Sequence, residues 1–113
     1  MSSFCAELGD YGRQFKSAVG DEPLADLKVS LAAVVDKGKK VLPQAPPTVR
    51  GDLTGLMSDL SQFNDFVQNK ATQKDLDGGA PPPELAQPLA DLSVKGTAVK
   101  TWYRQNCNAD FGS

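Results

Sequence analysis

The chain contains no histidine. That absence removes the commonest general base, the commonest zinc and haem ligand, and the usual pH switch near neutrality. Neither a Ser-His-Asp nor a Cys-His nucleophile system can be built from this chain alone. Glutamate is scarce as well, with Glu7, Glu22 and Glu84 the full set. The inward glutamates and Glu-x-x-His pairs of a di-iron bundle are therefore missing, and so is the Cys-x-x-Cys-His of haem attachment. Arginine is limited to Arg13, Arg50 and Arg104, none at a clear core position. No run approaches the ~20 apolar residues of a membrane helix. No segment alternates apolar and polar residues for long, so no strand is expected. The formal charge of −2 gives no basic face for nucleic acid. The one local basic cluster, Lys37, Lys39 and Lys40, falls where a helix should end, and cations there offset the helix dipole.

What the chain does have is helical periodicity. Its 113 residues, 40% hydrophobic and 23% charged, describe one globular domain over 1–113. The clearest stripe is Val49, Leu53, Leu56, Leu60, Phe63 and Val67, stepping by four and three. It follows a Pro46-Pro47 entry and predicts a helix over about 47–72. Phe4, Leu8, Tyr11, Phe15 and Ala18 predict another over about 3–19, with Gly9 and Gly12 off the stripe and Gly20 ending it. Asp21-Glu22-Pro23 reads as the start of a helix over 22–42. Leu24, Leu27, Leu31, Val34 and Val41 form its core face, with Gly38 at the remaining station. Leu89, Leu92, Gly96, Val99 and Tyr103 predict a fourth helix over about 84–107, with Pro88 either kinking it or starting it. Residues 75–83, with Gly78-Gly79 and Pro81-Pro82-Pro83, read as a flexible loop. Residues 108–113 read as a frayed tail.

Four amphipathic helices with short connections form an all-α, up-down-up-down four-helix bundle. In that topology the first helix starts, and the fourth ends, at the same end of the bundle. Cys5 and Cys107 occupy those two places, so a disulfide joining the termini is expected. The alternative is two separate buried thiols. Stacking the helices at ~1.5 Å per residue sets Gly96 near the level of Phe15 and Gly38 near Tyr11, a ring opposite each missing side chain.

Little in the sequence carries chemistry. Asp21, Glu22 and Asp26 cluster at a helix entry, where acids favour the dipole. Asp52 and Asp59 lie a heptad apart with no partner base. Asp75 and Asp77 lack the ligand count of a calcium loop. No catalytic residue, metal or cofactor is expected. The rings of Tyr11, Phe15, Phe63, Phe66, Trp102 and Tyr103 could line a cavity for a small apolar ligand, or simply fill the core. Trp102 and Tyr103 are neighbours, so one belongs at the rim. Gly51 and Gly55, four apart on the outer side of the central helix, fit either simple tolerance of glycine in a stable bundle or a close-approach face for a partner.

Three short stretches carry a resemblance. Phe4-Cys5-Ala6, the run Ala45-Pro46-Pro47-Thr48-Val49-Arg50-Gly51-Asp52-Leu53, and Trp102-Tyr103-Arg104-Gln105-Asn106-Cys107 resemble small secreted proteins and lipoproteins of actinobacteria. The resemblance implies export and a Cys–Cys staple, and brings no catalytic residues. Met1-Ser2-Ser3 lacks the apolar region of a signal peptide and there is no lipobox. The expectation is a mature chain whose signal has been removed. The expected role is a secreted or cell-envelope interaction module that binds an envelope or extracellular protein. The alternative is a carrier or sensor of a small apolar ligand held between the helices.

Overall fold

The computed structural model describes residues 2–18, 23–72, 74–75 and 83–111. Among the described residues there are four α-helices: α1 (Ser2–Ala18), α2 (Leu24–Val41), α3 (Pro47–Asn69) and α4 (Ala86–Cys107). Short 3-10 turns cover Leu42–Gln44 and Pro83–Leu85. No strand occurs among the described residues. The helices pack up-down-up-down, with α1 against α2, α2 against α3 and α3 against α4. The body is 42 Å long, which suits the ~35 Å of the 23-residue α3 plus its flanking turns.

Each expected stripe faces the core. Phe4, Leu8, Tyr11 and Ala18 are buried on α1, and Leu27, Leu31, Val34 and Val41 on α2. Val49, Leu53, Leu56, Leu60 and Val67 are buried on α3, and Val99 and Tyr103 on α4. Proline sets two of the helix entries. Pro47 opens α3, and Arg50 holds that entry by donating from Nε and a terminal nitrogen to the Ala45 carbonyl, at 3.2 and 2.6 Å. Pro88 lies inside the first turn of α4, so it starts the helix and does not kink it. Pro23 stands just before α2 and not within it. The expected glycine stop at Gly20 and the acids Asp21 and Glu22 lie outside the described residues.

Helix α3 ends a little before its expected limit, for a local reason. The Phe66 carbonyl accepts from the Lys70 and Ala71 N–H groups. Thr72 and Asp75 then bond reciprocally, each backbone N–H donating to the other's side chain at 2.9 and 3.3 Å. That is a capping box, and it opens a separate turn instead of extending α3. Asp75 is therefore a cap residue. The remainder of the expected flexible loop, 76–82, and Asp77 with it, lies outside the described residues.

Cys5 and Cys107 form a disulfide with their Cα atoms 5.7 Å apart. The α1 and α4 backbones otherwise approach each other sparsely. Rings fill the gap. Phe4 meets Trp102 edge-on at 5.6 Å, and the Tyr103 hydroxyl lies over Gly9, only 2.6 Å from where a Cβ would stand. Gly9 is thus a seat for a ring, not a mere weakness in α1. The segment after Cys107 is not frayed through Phe111. Asn108 takes a left-handed conformation that turns the chain back. Phe111 then packs on Tyr103 at 5.8 Å and Tyr11 at 6.4 Å.

The two glycine–ring matches divide. Gly38 does face Tyr11, whose Cε1 would lie 3.0 Å from an added Cβ. Gly96 faces Leu56 and not Phe15. Helix α4 packs closely on α3 and stands off α1, so its small residue meets a neighbour on α3.

Candidate functional site

Polar side chains of two helices meet along the α3–α4 seam. On α3, Asp52, Gly55 and Asp59 each precede a core leucine (Leu53, Leu56, Leu60), so they occupy the flank nearest α4. On α4, Asp91 and Lys95 likewise precede Leu92 and Gly96. Gly55 has no side chain, and the carbons of Lys95 lie across it, Cε 3.0 Å and Cγ 3.3 Å from the position of a Cβ. The Lys95 ammonium ends 3.9 Å from Asp52 Oδ1.

Asp59 is the buried acid of this seam, only 7% exposed. Its carboxyl is hydrogen-bonded to that of Asp91, which requires one proton between the two. Its Oδ2 is shielded from solvent and has no hydrogen-bond partner. Desolvation, then the hydrogen bond to and the charge of Asp91, push the Asp59 carboxyl up to about 6, with Lys95 opposing. Asp59 and Asp91 line an open depression with Gln62, Pro83, Glu84, Gln87 and Pro88. Glu84 is paired with Lys70 at 3.3 Å.

This pair is hidden in the sequence, because along its own helix Asp59 has no partner. The usable signal is positional: an acid immediately before a core leucine on α3, and another immediately before one on α4.

The expected partner face changes in composition. Gly51 is exposed, with no atom within 4 Å of where a Cβ would stand, but Gly55 is half-buried beneath Lys95. The outer-face reading of Gly55 is therefore corrected to an internal contact with α4. The six candidate ligand-lining rings do not converge. Tyr11 and Tyr103 both meet Phe111, while Trp102 packs on Phe4 and donates to Thr48 Oγ1 at 2.9 Å. Trp102 is the half-exposed member of its pair and Tyr103 the buried one. Phe15, Phe63 and Phe66 are partly buried against the core, and Phe66 borders a shallow depression beside Lys70 and Leu85. The Tyr11 hydroxyl is buried without a partner, and desolvation raises its phenol well above the ordinary range.

Among the described residues no group of three His, Cys, Asp or Glu side chains is arranged to hold a metal, and no helix is long and apolar enough to cross a membrane. The basic cluster is divided: Lys37 pairs with Glu7 of α1, whereas Lys39 and Lys40 stand exposed in the last turn of α2. Comparison of the chain with protein-family models, with curated proteins and with solved structures finds no match.

Proposed function

We propose that this chain is a secreted or cell-envelope helical-bundle module that acts by binding another macromolecule and not by catalysis. The observation that carries this reading is the Cys5–Cys107 disulfide. Such bonds persist in oxidising compartments and are rare in the reducing cytosol. The resemblance to exported actinobacterial proteins agrees with it.

A bundle tied at its termini, with rings packed on one another, offers its outer surface as the working part. On that surface Val29 of α2 and Val94 of α4 are 71% and 64% exposed, and Gly51 leaves the α3 backbone open. The partner class that fits is an envelope or extracellular protein.

Fractionation of producing cells tests the compartment. The native protein should appear outside the cytoplasm and acquire two alkylated thiols only after reduction. Free thiols in the native protein would remove the basis of the proposal. A photo-cross-linker at position 51 should give a saturable adduct with an envelope component, and the same probe at Lys16 should not. Equal labelling from both positions refutes the partner face at Gly51.

A further inference from the structure

Helix α4 is held differently along its two halves. In the second half Val99 and Tyr103 are buried, and Cys107 is tied to α1. In the first half, residues 86–95, no side chain is buried, and Leu92 alone packs against the main core. Leu85, just upstream, is buried but stands outside that core. Helix α1 approaches α4 only sparsely, so α3 is the helix that holds the first half in place. Gly96 marks the junction of the halves, and a glycine inside a helix costs ~1 kcal/mol relative to alanine, which makes this the easiest point to bend.

In this weakly held half Asp91 meets Asp59 of α3. Asp59 is buried and Asp91 half-exposed, so water only partly separates their charges. Two carboxyls in hydrogen-bond contact hold together through one shared proton. Without it both are acceptors and both are negative. We propose that residues 86–95 form an acid-closed flap, docked on α3 while Asp59 and Asp91 share a proton and released from α3 when that proton leaves.

The other charges around the pair do not cancel this effect. Lys95 of α4 opposes it, but its stem lies across Gly55 and its ammonium ends 3.9 Å from Asp52 of α3. Glu84, in the turn before α4, lines the same depression and is paired with Lys70 of α3. Helix α2, which also packs on α3, supplies neither of the charges that shift Asp59. The docked flap holds the Asp59 carboxyl at about 6 against an ordinary 3.8, so closure is favoured below about pH 4 and lost as pH rises through about 6. Two units would change the opening equilibrium by ~100-fold, and Lys95 with the exposure of Asp91 reduces this to about tenfold. Opening is local, because Val99, Tyr103 and the disulfide keep the second half on the bundle. It uncovers Leu92 and the α3 surface around Asp59. The flap depends on neither the compartment nor the partner proposed above.

Amide hydrogen exchange of the full, oxidised chain from pH 4.5 to 8 tests it, with the intrinsic exchange rates divided out. Protection of residues 86–95 should fall by about tenfold across this range, whereas that of residues 99–107 and of α1 should fall by less than about threefold. Asp59→Asn should abolish the selective fall, and Asp65→Asn, an exposed acid on the same helix, should keep it. Protection of 86–95 that does not change with pH overturns the proposal. An equal fall in every helix also overturns it, since that reports global stability and not a flap. A selective fall that persists in Asp59→Asn overturns it as well, by assigning the proton to another group.

Discussion

Replacing Asp59 by asparagine should stabilise the protein at neutral pH. The folded chain holds this carboxyl at about 6, against an ordinary 3.8. Between those values the folded state keeps a proton that the unfolded state has already lost. Stability contributed by Asp59 is therefore fully present below about pH 4, falls as pH rises through about 6, and stays low at pH 7 and above. A shift of about two units corresponds to a ceiling of ~3 kcal/mol, at about 1.4 kcal/mol per unit. Asp91 is half-exposed and Lys95 opposes the shift, so solvent and the lysine reduce the effect to roughly 1–2 kcal/mol. Asparagine keeps the shape, carries no charge, and can donate to Asp91 from its amide.

Thermal unfolding followed by circular dichroism at pH 4, 5, 6, 7 and 8 measures the difference. At pH 7 the variant should melt higher by about 4–8 °C, since ~1 kcal/mol is worth ~4 °C or a little more at this size. At pH 4 the two curves should converge, because there the wild-type acid is already neutral. The wild-type minus variant difference isolates this site from the other carboxylates. A variant less stable than wild type at pH 7, or a difference independent of pH, would refute the account of Asp59 as a buried acid held beside a second one.

Two glycines on neighbouring helices should respond with opposite signs. Gly51→Ala meets no atom within 4 Å and should add about 0.5–1 kcal/mol from helix propensity alone. Gly38→Ala sets a methyl 3.0 Å from the Tyr11 ring and 3.2 Å from the Met57 methyl, and should lose roughly 1 kcal/mol net; urea unfolding of both variants decides, and a shared sign would contradict the packing. Replacing Cys5 and Cys107 together by alanine releases a crosslink spanning 102 residues and should cost roughly 3–5 kcal/mol. A loss below about 1 kcal/mol in chemical unfolding would mean that the staple adds little to the bundle. Phe111→Ala removes a ring that touches Tyr11 and Tyr103 and should cost about 1–3 kcal/mol. An unchanged melting temperature would restore the frayed-tail expectation.

The number of helices, their inward faces and the meeting of their ends are legible in the sequence because each follows from period and parity. Residues three and four apart share a helix face, and an even number of antiparallel helices returns the chain to its starting end. Cys5 and Cys107 need no more information than that. What sits opposite what across a seam is a different quantity, since period identifies a face and not its neighbour's register. Gly38 meets Tyr11 as expected, yet Gly96 meets Leu56 because α4 lies close to α3 and away from α1. The same asymmetry explains the residues whose roles the sequence does not reveal. Where α3 and α4 come close, Gly55 admits the Lys95 stem and Asp59 is brought against Asp91. Where α1 and α4 stand apart, the space is bridged by Phe4 against Trp102 and by Tyr103 over Gly9. Phe111, returning after Asn108, packs on Tyr103 of α4 and Tyr11 of α1. The disulfide lies on this wider seam. A covalent tie and a returning aromatic hold together the two helices whose backbones do least to hold each other, so the wide seam and the tail that fills it are one structural solution.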